Sequence, residues 1–221
     1  MPVAQPRPAT LVARERAALV ALLHERGPDA TTCRPDWQAR DLIADLMARE
    51  RTPPGGPLAG LLRHASHAER SSGRPSFDDL VAQLARGPQF RGAPLNPEVD
   101  RLLNTAEVFT CHEDLRRARD PWQARTFRSD DEAELGSVLQ RTARVALAGC
   151  PVGMVCVTPD GRSRRLHRGR HRHTGDVRAH GAASEVLWWC AGRGRVAEID
   201  WDGSAGALAA VFAHVAGAPA A

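Results

Sequence analysis

The chain has 221 residues, enough to bury a core and leave room for a second, smaller domain. Its formal charge of +4 rests on 30 basic residues, every one an arginine; with no Tyr this is the codon bias of a GC-rich genome, so the arginine count is weak evidence for nucleic acid. Five scattered cysteines without CxxC spacing argue against a disulfide framework, and neither an apolar window of about 18 residues nor an apolar leader occurs, so the expected setting is cytoplasmic, as a monomer or homodimer without a membrane partner.

Residues 10–26 set Leu11, Val12, Leu19, Leu22 and Leu23 at helical spacing and end on Gly27-Pro28, which predicts a first bundle helix with a stop signal. A second helix is predicted over 36–51, with Asp36 as its cap and TPPGGP at 52–57 as its end. A weaker third is expected over 58–70. Ser76 and Asp79 have capping-box spacing ahead of a helix stopped by Gly87-Pro88. Asn96-Pro97 reads as an N-cap with proline at the first helical position, opening a long helix to about Ala118. Arg116, Arg117 and Arg119 lie at its end, where the helix dipole favours cations. Ser129 and Glu132 repeat the capping-box spacing before a last long helix over 130–148, ended by Gly149.

After Pro151 helical periodicity gives way to alternation. Strands are predicted over 152–158, 163–168, 176–180 and 196–201, with helices over 183–191 and 204–216. Trp188 and Trp189 are adjacent on the first of these helices and cannot share a face; core packing is their default role. The expected fold is mainly α, a four-helix bundle at 1–149 followed by a small α+β domain at 150–221.

Within the long helix, residues 104–117 (NTAEVFTCHEDLRR) set Glu107, Cys111 and Asp114 at i, i+4 and i+7 on one face, bordered by the apolar stripe of Val108 and Leu115. A carboxylate beside a thiol at the edge of a core needs a partner. The nearest candidate is Asp45, one turn from Asp41 in the second helix. Two carboxylates and a thiol on facing helices could hold a divalent metal, zinc first among them, with an open fourth position. His112 points about 100° away from Cys111 on a regular helix, so it does not simply join that set. Asp114 and His112 are the candidates for catalytic roles beside the ligands, Asp114 by orienting one or by accepting a hydrogen bond from substrate. Arg40, Arg49 and Arg116 are candidates for meeting anionic groups of a substrate or thiol. His64 and His67 form a further i, i+3 pair.

Three segments, 37–50 (WQARDLIADLMARE), 104–118 (NTAEVFTCHEDLRRA) and 184–193 (SEVLWWCAGR), resemble an actinobacterial metal-binding family related to mycothiol-dependent maleylpyruvate isomerase, within the DinB-like four-helix-bundle superfamily. The likeness runs from about Leu11 to Val215. It implies a DinB-like bundle, with a divalent metal held by a His in the first motif and a Glu-x-x-x-His pair in the second. It also implies a low-molecular-weight thiol, mycothiol, activated on that metal to attack a small electrophile, the chemistry of a thiol-dependent transferase or isomerase. Carried over by position, the ligands fall on Asp45, Glu107 and Cys111, so two of the three depart from the family pattern. Asp, Glu and thiolate around a divalent cation leave a net charge of about −1 where His2Glu leaves about +1, a poorer Lewis acid. The alternative is a noncatalytic DinB-like ligand-binding or accessory protein that has lost the metal, with Asp45 paired to an arginine, Glu107 hydrogen-bonded and Cys111 a small buried residue.

The run 162–172 (RSRRLHRGRHR) with His173 reads as an Arg-rich hairpin. It lacks the aromatic platform that single-strand binding uses, which argues against nucleic acid as a partner.

Overall fold

The computed structural model describes residues 9–51, 75–90, 93–170 and 175–217. The helix expected over 58–70 with His64 and His67, and the histidines His171 and His173, lie outside them. The chain gathers into two compact units, Met1–Asp120 and Pro121–Ala221. It is mainly helical, with a mixed β-sheet in the second unit. Among the described residues no helix is long and apolar enough to cross a membrane.

In the first unit, α1 (Leu11–Arg26) starts where Thr10 Oγ1 accepts the Ala13 N–H at 3.3 Å. It stops at Gly27, whose φ of 76° turns the chain while its N–H still bonds Leu23 O. The next helix, α2 (Ala39–Arg51), begins beyond Asp36, which is not its cap: with φ at 61° Asp36 sits in a turn, and the Asp41 carboxylate instead accepts from Gln38 N at 3.1 Å. α3 (Phe77–Arg86) carries the expected Ser76/Asp79 capping box. Two short strands, β1 (Gln89–Phe90) and β2 (Ala93–Pro94), pair antiparallel before α4 (Pro97–Arg116). Asn96 Oδ1 accepts the Glu98 N–H at 2.9 Å to open α4, with Pro97 leading the helix. The apolar faces of these helices share one core built on Val12, Leu19, Leu23, Leu42, Leu46, Val81, Leu84, Val108 and Leu115. Side chains of this size stabilise the fold by about 1.5–3 kcal/mol each when fully buried.

The second unit begins with α5 (Ser129–Ala146) and continues through β3 (Gly153–Val157), β4 (Ser163–His167), β5 (Asp176–His180), α6 (Ala183–Cys190), a 3-10 turn at Gly194–Val196, β6 (Asp200–Asp202) and α7 (Ala205–Gly217). Strand order is β4-β3-β5-β6; β3 pairs antiparallel with β4 and parallel with β5, and β6 pairs antiparallel with β5. The predicted 196–201 strand is shorter than expected because the 3-10 turn takes its first residue. Register puts Met154, Cys156, Val177, Ala179 and Trp201 on one face, which the helices cover: the Trp201 ring lies 4.8 Å from Trp189 of α6 and 5.0 Å from Phe212 of α7. The other face keeps Arg165, Asp176, Arg178, His180, Asp200 and Asp202 exposed. Trp188 is wholly buried. At Gly169 any Cβ would run into the backbone of Pro151, Val152 and Gly153, so glycine is what lets these segments approach.

Periodicity places a change of character near Gly149; by contacts the compact units divide at Asp120, with α5 packed along α6. The Ser129/Glu132 capping box does not form either. Ser129 is already helical, Arg128 precedes it without a side-chain bond, and Glu132 turns toward α6.

Candidate functional site

α2 and α4 pack together and bring Asp45, Arg49, Glu107 and Cys111 to one place, and the group at its centre is a guanidinium. Arg49 Nη2 donates to Asp45 Oδ2 at 2.9 Å, and Nη1 donates to Glu107 Oε2 at 2.8 Å. A second arginine backs the first: Arg34 Nη1 reaches Asp45 Oδ2 at 3.3 Å while its guanidinium lies 3.3 Å over the Trp37 ring. Burial works against the charge on Arg49, but Glu107, Asp45 and Cys111 outweigh it and raise its pKa above the ordinary arginine value. Two guanidinium groups against two carboxylates close the local charge, leaving nothing for a divalent cation to neutralise. Cys111 is a small buried residue beside them.

The expected metal centre is therefore corrected. Asp45 and Glu107 are committed to Arg49, and among the described residues no group of three or more His, Cys, Asp or Glu could hold a metal ion. Zinc on Asp45, Glu107 and Cys111 does not fit this donor set. The mycothiol co-substrate goes with it, since the thiol activation implied by the resemblance depends on that metal.

The other predicted residues scatter into separate pairs. His112 does turn away from Cys111, and its Nδ1 shares a hydrogen bond of 2.8 Å with Glu15 Oε2 of α1, both side chains being buried. Asp114 is wholly buried, and its backbone carbonyl accepts the Cys33 N–H at 2.9 Å, tying the loop before α2 to α4. Arg116 Nη2 donates to Glu113 Oε2 at 2.8 Å, and Arg40 pairs with Asp29 at the surface. Sequence reading missed Glu15, Arg34 and Glu113, and also Arg16, which bridges Glu50 of α2 and Asp100 of α4 at 2.5 and 3.0 Å.

Burial raises the Glu50 pKa above its ordinary value of 4.5, with Arg16 opposing. A carboxyl that binds its proton more tightly in the folded chain contributes stability fully below the unfolded value of 4.5, and that contribution is lost as pH rises through the raised folded value. The stability difference between wild type and Glu50→Gln should therefore shift in favour of wild type as pH falls from neutrality toward 4.5, read from urea midpoints at successive pH values. A difference that stays flat, or moves the other way, would contradict the raised pKa.

The second unit holds a cleft of about 1670 Å³, lined by Phe127, Glu132, Cys156, Arg164, His180 and Ile199 among others. Glu132 accepts from Ser184 Oγ at 3.1 Å and from the Ala183 and Ser184 backbone, so it caps α6, whose own N-cap Ala182 has no side chain for the task. Burial raises its carboxyl pKa against these bonds. Burial likewise pushes the Cys156 thiol up to about 11, with Arg164 pulling it down and Glu132 adding to the rise.

Comparison of the chain with family models, with curated proteins and with solved structures gives no match.

Proposed function

We propose that the chain is a noncatalytic relative of the DinB-like family related to mycothiol-dependent maleylpyruvate isomerase, a four-helix-bundle protein that has exchanged the family's metal for an arginine and serves as a ligand-binding or accessory protein. The observation that carries this reading is Arg49 bonded to Asp45 and Glu107 at 2.9 and 2.8 Å, at the positions where the motifs would hold the metal. A catalytic metal keeps an open coordination position and acts as a Lewis acid; a guanidinium held by two carboxylates offers neither. The three ordered motifs support the family, and the arginine clamp supports the loss of its chemistry.

Elemental analysis tests this on untagged protein incubated with zinc and then desalted. Wild type should carry no near-stoichiometric zinc, Cys111→Ala should change nothing, and any trace should vanish when His167, His171 and His173 are replaced by Ala. Near-stoichiometric zinc that is lost with Cys111→Ala would overturn the reading.

A further inference from the structure

The cleft of the second unit holds a cation that is positioned and left without a counter-charge. Arg164 on β4 lies directly across from Cys156 in the sheet, and its Nη1 donates to the backbone carbonyl of Gly136 on α5 at 3.0 Å. Glycine at 136 leaves the guanidinium lying against the helix backbone, with only 3.6 Å to where a Cβ would stand. That carbonyl is the one hydrogen-bond partner of the Arg164 side chain among the described residues, and the guanidinium makes no ion pair there. A guanidinium has five N–H donors in a fork that matches a carboxylate, so most of this one is unspent.

The acidic residues of the cleft do not fill that role. Asp160 takes Thr158 Oγ1 at 2.6 Å and pairs with Arg162 at 3.3 Å. Glu132 caps α6, Glu185 accepts the Glu198 N–H at 2.9 Å, and Glu198, which also lines the cleft, makes no ion pair with Arg164. Asp200 belongs to β6, three strand spacings from β4, or about 14 Å, beyond the screening length of about 8 Å at physiological salt. The same cleft is also lined by the apolar or small side chains of Phe127, Val157, Ala183 and Ile199. Burial pushes the Cys156 thiol beside it up to about 11, so this thiol is not a ready nucleophile at neutral pH.

We propose that this cleft binds a small organic carboxylate with an apolar or aromatic body, its carboxylate paired to Arg164 and its body against the apolar lining. This deepens the reading of the chain as a ligand-binding protein and rests on it. The volume exceeds that of a typical small-molecule site, so a single-ring acid is a minimal probe of it.

The test is titration of the full chain with benzoate and with benzamide, its neutral counterpart, followed by calorimetry and by protein chemical shifts. Benzoate should bind in the millimolar range and benzamide about tenfold more weakly, as loss of a charge-assisted bond predicts. Arg164→Gln should weaken benzoate by about tenfold, Arg164→Lys should give a smaller loss that also serves as a second reading if the glutamine variant disturbs α5, and Arg178→Gln, on the other face of the sheet and outside the cleft lining, should change nothing. The proposal is overturned if benzoate does not bind, if benzamide binds as well, if neither Arg164 variant weakens binding, or if inorganic phosphate displaces benzoate at equal concentration. Near-stoichiometric zinc lost with Cys111→Ala reports on the bundle, and benzoate binding on the cleft, so the two readings fail separately.

Discussion

Glu113→Ala should lower the unfolding free energy by about 3–5 kcal/mol, a large part of the 5–15 kcal/mol that holds a typical domain together. Glu113 is wholly buried on α4; its Oε2 accepts from Arg116 Nη2 at 2.8 Å and from Arg117 Nε, and the Arg117 side chain is equally buried. Removing the carboxylate takes from the buried Arg117 guanidinium the ion pair it makes with Glu113, whereas the partly exposed Arg116 can swing toward water. The cost is that of breaking a buried pair, which exceeds the net worth of the pair. For that reason Glu113→Met with Arg117→Met should recover most of the loss, since an apolar pair of similar volume replaces the whole interaction. Urea denaturation of the two single variants and the double variant measures this directly. Strictly additive losses would mean that the two groups do not depend on each other and would sink the prediction.

What the sequence made legible was local. The Gly27 stop of α1, the Ser76/Asp79 box and the Asn96-Pro97 start are decided by atoms within four residues of each other, and the structure holds all of them. Ser129 and Glu132 have the same spacing as Ser76 and Asp79 yet behave differently, because Glu132 meets the uncapped N-terminus of α6 more than 50 residues away. Nothing in residues 129–132 could announce that competitor. The site divides along the same line. Spacing on α4 puts Glu107 and Cys111 on one face, while Asp45 and Glu107 are both bonded to the Arg49 guanidinium and form no metal-holding group with Cys111 among the described residues. The identity of the central cation is not readable from spacing: Arg49, one turn after Asp45, is by sequence a candidate for meeting an anionic group of a substrate or thiol, whereas it neutralises both carboxylates itself. His112 and Glu15 meet across 97 residues of chain, and only the packing of α1 on α4 creates that pair.

If Arg49 stands where a metal once fitted, the triple variant Arg49→Ala, Asp45→His, Cys111→His should gain zinc. α2 and α4 already carry positions 45, 107 and 111 around the point the guanidinium occupies, so the substitutions supply a His, Glu, His donor set without moving a helix. Arg49→Ala alone should be less stable than wild type, because Asp45 then depends on Arg34 and Glu107 loses its recorded partner. Zinc should reverse this only in the triple variant: a ligand that binds the folded chain alone adds about 2.7 kcal/mol at 100 times its Kd. Thermal melts with and without zinc, paired with elemental analysis after desalting, give the reading. A zinc-dependent rise in Tm with near-stoichiometric metal in the triple variant, and none in wild type, fits a bundle whose backbone still remembers a metal geometry. No zinc beyond the wild-type level would mean that helix packing here never converged on a coordination site, and the arginine clamp would then be an ordinary interhelical ion pair with no ancestry in the metal-binding family.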